Sequence, residues 1–497
     1  MTRRLRFAPT TWGLVVVVVV GASLRVARLA GYDGLVGDEG YTLALAQRSP
    51  PHMFELFARE ANGLLLPLLL SPAVRVGDWL WLLRSPAVIA GILAIPALYW
   101  TGTRLADRRV ALAAAALLAL NPVAIAYSQL ARAYIFAMLF GILSFGFLAR
   151  FWDDAARRNR LGYVISTVLG AYSHALVLPM LLPAQIPLVL ARGRSAVGTW
   201  IRALVFVGIA VAPLAVLLAV SRSKRNPLYW LDRPSLEDAK NVALALTAGK
   251  GGFVVCFAAV AAAIAVDVRR RSWNAAWPTV LAWGLVPLPL LFMLSQISPA
   301  FWIDYTLPAL PGVLLLVAYA ALRLPRPAAA VALVALGAVF TRAAVDDADA
   351  YHPNGWRTAA HELSAARESG DPVLFDIPDG LVAAGYYDAS LAAADGKLVV
   401  SEWRDRRLPP DVVLRDDPGG YGRVPPGPPT RADVAGLARR TGTLHLVLSQ
   451  TARQGDVENR AGLAWAAKRC RVTRRAFGGI RMLSITGCPI EGRGEDR

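Results

Sequence analysis

The chain has 497 residues, of which 56% are hydrophobic and only 18% charged, and its formal charge is +18. Uncharged runs such as 110–130 and 203–220 exclude an ordinary soluble enzyme, because each approaches the ~20 residues with which a helix crosses a bilayer core, where a backbone must satisfy its own hydrogen bonds. Nucleic acid is excluded as a partner: there is no basic stripe interleaved with aromatics and no binding motif, and Lys and Arg collect at cytoplasmic helix ends and near anionic headgroups.

Met1-Thr-Arg-Arg-Leu-Arg6 followed by Val15 to Val20 resembles a secretion signal. No small-residue cleavage site precedes a soluble domain, so this is read as a retained first helix. Apolar runs predict crossings near 12–30, 85–103, 109–127, 132–151, 161–175, 176–191, 200–220, 242–266, 276–295, 305–323 and 327–343. The segment Asn62 to Leu83 carries Arg75 and Asp78 and ends in Trp79-Leu80-Trp81. If it crossed, the basic stretches 104–109, 157–160 and 267–271 would all fall outside. If it lies in the outer interface, all three fall inside, together with Arg192-Gly-Arg194 and Arg323-Leu-Pro-Arg326, as the enrichment of cytoplasmic loops in Lys and Arg requires. The expectation is therefore about eleven crossings, with the N-terminus cytoplasmic and the C-terminus outside the plasma membrane. The division of 161–191 into two helices sets the parity of everything after it. This topology places Tyr32 to Leu83, Asn121 to Tyr134, Ser221 to Asn241 and Ser295 to Tyr305 on the outer face; the first, an outer loop over 31–84, is long and polar enough for function.

The membrane domain is assigned to 1–345. From about Asp346 the composition turns polar and rich in Gly and Pro. Trp356 to Ser369 reads as an amphipathic helix, and Pro372 to Asp376 and Leu444 to Leu448 as buried strands. Residues 346–497 are expected to form a soluble extracytoplasmic α/β domain, with a Pro/Gly-rich loop over 416–430. Cys256 lies in an apolar run and is read as packing. Cys470 and Cys488 both fall in the outer domain, and the sequence leaves their pairing open. There is no CxxC or His-rich metal spacing. No cofactor is expected, and a divalent metal finds no support.

Gly37-Asp38-Glu39-Gly40 follows the first helix on the outer side. A carboxylate there can deprotonate a hydroxyl acceptor as it attacks, although an Asp-Glu pair alone is a weak signal. Arg132 is the only charge between Val110 and Leu148. It either snorkels to headgroups or holds an anionic lipid phosphate, with Tyr127, Ser128, Gln129 and Tyr134 around it as hydrogen-bonding groups. Arg222, Lys224 and Arg225 break the charge rule on the outer face, which fits either a second lipid-phosphate site or anionic headgroups. His174 is read as packing.

These residues, in this order, resemble the GT-C glycosyltransferases, in the branch that holds protein O-mannosyltransferases, the lipid A aminoarabinose transferase and actinobacterial mannosyltransferase-like proteins. The resemblance covers about residues 10 to 375. It rests on Gly37-Asp38-Glu39, Asn62-Gly-Leu-Leu-Leu-Pro, Gly77 to Pro86, Asn121-Pro, Tyr127 to Tyr134, Ser295-Gln-Ile-Ser-Pro, Tyr305 to Gly312, Gly355-Trp-Arg-Thr-Ala-Ala and Gly370-Asp-Pro-Val-Leu. The resemblance implies transfer of a sugar, mannose or another hexose or pentose, from a polyprenyl-phosphate carrier to a glycan, lipid or protein acceptor on the outer face. It implies Asp38 as base. Relatives often have Arg-Tyr where this chain has Asp304-Tyr305, so the phosphate contact is expected to shift to Arg132 or the 222–225 cluster.

The reading is an inverting transferase embedded among membrane lipids, with Asp38 as general base, Glu39 orienting the site or the acceptor, Arg132, Arg222, Lys224 and Arg225 as donor-phosphate candidates, and Tyr127, Gln129, Tyr134, Asp304 and Tyr305 as substrate-site candidates. The rival readings are a transporter or flippase of lipid-linked sugars, for which no clear internal repeat or broken midplane helix is seen, and a non-catalytic scaffold for envelope assembly.

Overall fold

The computed structural model describes residues 9–27, 29, 34–35, 37–54, 63–77, 79–153, 155–224, 231–346, 355–368, 371–375, 378–388, 391, 412–414, 431–448, 463–477 and 480–490. The chain opens with α1 (Pro9–Val26) and α2 (Gly37–Ala46), then the short α3 (Leu65–Leu70) and α4 (Ala73–Val76). Long helices follow: α5 (Leu80–Leu105), α6 (Arg108–Leu120) with its bent continuation α7 (Pro122–Ser128), α8 (Tyr134–Ala149), α9 (Ala156–Ser173), α10 (Val177–Leu190) and α11 (Arg194–Lys224). After α12 (Leu236–Leu246) come α13 (Gly249–Arg270), α14 (Ala276–Leu285), α15 (Pro287–Ser295), α16 (Ile303–Thr306), α17 (Leu310–Ala321) and α18 (Arg326–Asp346).

A helix stands at each predicted crossing. Among the described residues, 6 helices are long and apolar enough to span a bilayer, and up to 7 if a bent pair is one span. The other predicted crossings are α1, α8 and α10, which are shorter apolar helices, and α9, whose first turns carry Arg157, Arg158 and Arg160. The valine run of α1 has poor helix propensity in water. In lipid it is helical because only intrahelical bonds can satisfy its backbone.

The division of 161–191 is resolved by one contact. Tyr163 Oη donates to Gln185 Oε1 at 2.9 Å although the two residues are 22 positions apart. A continuous helix would separate them by about 33 Å, so the chain reverses at His174 and α9 and α10 run back along each other.

One predicted crossing and one predicted interfacial segment are corrected in extent. The 242–266 crossing is broken: Ala248 and Gly249 both take left-handed backbone, at φ 59 and 88, so the membrane helix begins at Gly249. The preceding α12 is a surface helix opened by a Ser235–Asp238 capping box. The interfacial segment 62–83 is also shorter than read. The stretch from Leu65 to Val76 is a short apolar helix that rises only about 18 Å, too little to cross. Trp81 already belongs to the first turn of α5, stacked on Trp79 with ring centroids 6.0 Å apart.

The bend between α6 and α7 is 61°. Its cause is local. Pro122 has no N–H, so the Leu118 carbonyl loses its helical partner. Asn121 Oδ1 caps the new helix by accepting from the Ala124 N–H at 3.0 Å. Arg25 of α1, fully buried, satisfies the broken end: its Nη2 donates to Leu118 O at 3.2 Å and its Nη1 to Ala119 O at 3.1 Å. Its Nε donates to Ser128 Oγ at 3.1 Å. Gly91 of α5 is required beside this group, since a Cβ there would stand 2.1 Å from Ser128 Oγ.

At the far end of the bundle the charges are locked together. Asp267 accepts from Ser272 Oγ at 2.7 Å, Trp277 Nε1 at 2.7 Å and Arg323 Nε at 2.8 Å. Arg104 pairs with Asp153 at 2.6 Å.

The C-terminal region comprises α19 (Trp356–Ala366), β1 (Val373–Phe375), α20 (Pro378–Tyr387), β2 (Val412–Leu414), α21 (Arg431–Thr441), β3 (Leu444–Leu448), α22 (Leu463–Arg469), β4 (Arg471–Phe477) and β5 (Ile480–Thr486). The sheet order is β2-β1-β3-β5-β4. Strands β2, β1 and β3 are mutually parallel, and β5 and β4 complete an antiparallel edge. Period-two alternation divides the core. Val373, Phe375, Val447, Ile480 and Met482 face α19 and α20; Leu374, Leu444, Leu446, Leu448, Leu483 and Ile485 face α21 and α22. The β4–β5 register brings the hairpin's open end together, and Cys470 and Cys488 are disulfide-bonded there.

Arg25→Leu is expected to destabilise the protein, because it strands the Leu118 and Ala119 carbonyls inside the bundle; each buried unsatisfied group costs about 1–3 kcal/mol. Thermal unfolding in detergent measures this, and an unchanged midpoint would show that the bend supports itself.

Candidate active site where the bundle meets the C-terminal domain

The Asp38-Glu39 pair lies in the first turn of α2, where the helix dipole favours negative charge. Glu39 is completely buried. Its Oε1 accepts from Arg84 Nε at 2.8 Å and from the Ala131 N–H at 2.7 Å, and its Oε2 accepts from Arg84 Nη2 at 2.6 Å. Arg84, near the start of α5, also donates from Nη2 to Gly34 O at 3.0 Å. Glu39 therefore fixes α2 to α5 and to the loop before α8, and has no solvent-facing oxygen with which to meet an acceptor. The Asp38 side chain lies outside the described residues.

Gly34 joins this clamp to the C-terminal domain. Its φ is +111, and a Cβ would fall 2.8 Å from the Arg357 N–H nitrogen, so only glycine fits. Next to it the Leu35 N–H donates to Tyr387 Oη at 2.9 Å. Burial pushes the Tyr387 hydroxyl up to about 12. Tyr41 of α2 packs against the core below α19 and α20.

Arg132 lies in the same loop as Ala131. Its Nη2 donates to Tyr134 Oη at 2.7 Å, and its Nη1 reaches Thr42 Oγ1 of α2 at 3.4 Å. The guanidinium carbon stands 5.1 Å from the centre of the Tyr134 ring. Around Tyr134 the rings converge: Tyr127 at 5.7 Å, His174 at 5.8 Å and Tyr305 at 5.9 Å, with His174 and Tyr305 4.8 Å apart. Tyr127 Oη donates to Asp304 Oδ1. Asp304 is thus the acceptor for a tyrosine of this cluster.

The structure brings together Tyr127, Arg132, Tyr134, Asp304 and Tyr305, and Arg132 links the group to α2 through Thr42. It turns Gln129 away: the Gln129 amide donates to Leu24 O at 3.1 Å and Arg25 O at 3.0 Å, tying off the end of α1. Arg222 and Lys224 lie in the last turn of α11; their side chains, and all of Arg225, fall outside the described residues. Sequence reasoning left out Arg84 and Thr42. Arg84 carried a signal, a charge at the head of a long apolar run. His174, read as packing, packs its ring against Tyr134 and Tyr305. Among the described residues no group of three His, Cys, Asp or Glu side chains is placed to hold a metal.

By sequence alone the chain matches no family model and no curated protein. By structure it is similar to ArnT from Cupriavidus metallidurans bound to undecaprenyl phosphate, at 14% identity and a TM-score of 0.58, covering 96% of this chain and 98% of that one. It is similar to the apo oligosaccharyltransferase of Archaeoglobus fulgidus, at 13% identity and a TM-score of 0.51, covering 99% of this chain and 76% of that one. It is also similar to the mycobacterial arabinofuranosyltransferase AftD, at 16% identity and a TM-score of 0.52, covering 98% of this chain but 40% of that one. The protein is a multi-pass membrane protein with the GT-C glycosyltransferase fold.

Glu39→Gln is expected to cost about 3–5 kcal/mol, since it leaves the buried Arg84 charge uncompensated. The double variant Glu39→Gln/Arg84→Met should recover a large part of that loss. A thermal-unfolding double-mutant cycle measures both; additive losses would show that the two side chains act independently.

Proposed function

We propose that the protein is a glycosyltransferase that moves a sugar from a polyprenyl-phosphate carrier to a cell-envelope acceptor on the outer face of the membrane, with inversion. The observation that carries this reading is the contact of Arg132 with Thr42. Position 38 precedes Thr42 by one helical turn on α2, and residues spaced i, i+4 share a helix face. A lipid phosphate on Arg132 would therefore lie along the face of α2 that bears the proposed base. The binding of undecaprenyl phosphate by ArnT, a protein of the same fold, agrees with a donor of this class.

In this scheme the acceptor oxygen attacks the anomeric carbon as the bond from that carbon to the phosphate oxygen breaks. Asp38 takes the hydroxyl proton. The lipid phosphate leaves with the bonding electrons, and Arg132 stabilises its growing charge, the kind of electrostatic help that is often the largest share of such catalysis. Tyr127, Tyr134 and Tyr305 supply hydroxyls and ring faces for the sugar. Asp304, through Tyr127, orients one of those hydroxyls. Glu39 acts through position, by holding α2 in place.

Asp38→Asn keeps the shape of the residue but cannot accept the proton. It is expected to lower turnover ~10²–10⁴-fold with polyprenyl-phosphate affinity nearly unchanged. Arg132→Gln should instead weaken lipid binding. Single-turnover assays with lipid-linked sugar, alongside binding of polyprenyl phosphate alone, separate the two. Near-normal turnover in Asp38→Asn would place the base elsewhere, and unchanged affinity in Arg132→Gln would move the phosphate site to Arg222, Lys224 and Arg225.

The scheme requires the C-terminal domain outside. The Cys470–Cys488 disulfide supports this, since such bonds persist in oxidising compartments, and so does the collection of basic loops at the opposite end. Cysteines introduced at the exposed positions Ser364 and Ser195 test it. An impermeant maleimide applied to intact cells should label Ser364→Cys and spare Ser195→Cys; the reverse pattern would overturn both the topology and the catalytic assignment.

A further inference from the structure

His174 stands at the reversal between α9 and α10. Its backbone is used in that turn: the His174 N–H donates to Gly170 O at 2.9 Å, and the His174 carbonyl accepts from the Val177 N–H at 3.0 Å. The turn is pinned from two directions. Ser173, fully buried, donates from Oγ to Leu169 O at 2.8 Å. The Leu64 N–H, just before α3, donates to Tyr172 O at 3.2 Å. The place of the imidazole is thus set by the chain around it.

Packing accounts for the faces of the ring but not for its polar edge. The ring centre lies 4.8 Å from that of Tyr305, with the planes tilted by 38°, and 5.8 Å from that of Tyr134. Nδ1 is cut off from solvent and, among the described residues, has no hydrogen-bond partner. Buried polar atoms are nearly always bonded, and each exception calls for an explanation. For packing alone a phenyl ring would serve as well, with no polar atom to desolvate. The residue as a whole is only half-buried, so it borders the site instead of the sealed interior. The terminal torsion of such a ring is broad, and a modest rotation turns a nitrogen toward a ligand.

The position of Arg132 indicates the chemistry of that ligand. The Arg132 guanidinium carbon stands 5.1 Å from the centre of the Tyr134 ring, and the His174 ring is that tyrosine's neighbour at 5.8 Å. A phosphate and the one sugar ring attached to it can span the two. The phosphate calls for a cation, which Arg132 supplies. A neutral imidazole offers one N–H and one lone pair, and with two tilted tyrosine rings beside it suits a polyhydroxyl ring, whose C–H faces meet aromatics while a hydroxyl donates or accepts.

We propose that His174 is a specificity-determining residue that hydrogen-bonds a hydroxyl of the donor sugar whose phosphate lies on Arg132. The proposal rests on the donor reading above and adds to it the group that reads the sugar. A site built to bond a hydroxyl discriminates against a ligand that lacks it, because its own polar group is then left unpaired. His174 would therefore favour the sugar-bearing lipid over the sugar-free carrier left after transfer.

The test measures binding to the full-length protein in nanodiscs, without acceptor. The probes are decaprenyl phosphate, decaprenyl-phosphate mannose and decaprenyl-phosphate arabinose, the last two as a hexose and a pentose. Wild type should bind at least one sugar-bearing lipid more tightly than decaprenyl phosphate. His174→Phe should lose about tenfold of that margin, with the affinity for decaprenyl phosphate and the thermal midpoint retained. His174→Asn or His174→Gln, which place an amide near Nδ1 or Nε2, should keep part of the margin, a rescue that ring packing does not give. An unchanged margin in His174→Phe would overturn the proposal. So would equal losses in the Phe, Asn and Gln variants, equal weakening of all three lipids by His174→Phe, or a wild type that binds neither sugar-bearing lipid more tightly than decaprenyl phosphate. Failure of wild type to bind decaprenyl phosphate at all is a distinct result, which would overturn the donor reading and this proposal with it.

Discussion

The carboxylate of Glu39 and the guanidinium of Arg84 meet in full burial, with two short hydrogen bonds between them and a third to Glu39 from the Ala131 amide. Taking both charges out of water carries a desolvation cost of several kcal/mol per ion, which is offset only when geometry is good and the remaining polar atoms are bonded. Here the pair is forked and bidentate. Four parts of the chain are brought into register by it: α2, the head of α5, the loop that presents Arg132, and, through Gly34, the docked C-terminal domain. None of these is held to the others by a continuous secondary structure. The pair supplies what a loop of mixed composition cannot supply by apolar burial.

A second buried cation does comparable work inside the bundle. Arg25 answers the carbonyls exposed where Pro122 interrupts α6, and the resulting bend carries Tyr127 to the candidate site. The consequence reaches the candidate site, because Tyr127 is the group that engages Asp304. Proline and arginine thus act as one device, the proline breaking the helix and the arginine making the break tolerable in a low-dielectric interior.

At the candidate site the Arg132 guanidinium rests over the Tyr134 ring and reaches Thr42 of α2. In the proposed scheme this arrangement suits one phosphate presented from the membrane, with the rings that converge on Tyr134 beside it.

By itself the sequence determined the membrane-embedded class, the positions of the helices and the polar character of the C-terminal region, because hydropathy and charge placement are local consequences of transfer between water and lipid. It also contained Arg132, Tyr127, Tyr134, Asp304 and Tyr305, whose polar or aromatic character stands out at the ends of apolar runs. Only the tertiary structure decided that Glu39 is a buried clamp, that Gln129 serves α1, and that His174 lies against Tyr134 and Tyr305. It alone placed the break at Gly249 and the reversal after α9. The buried clamp and its link to the C-terminal domain depend on partners 45 and 352 residues away, Glu39 with Arg84 and Leu35 with Tyr387. A hydrogen bond between such distant positions leaves no trace in local periodicity, because the pattern along a helix or strand records only which face is apolar and not what that face will meet.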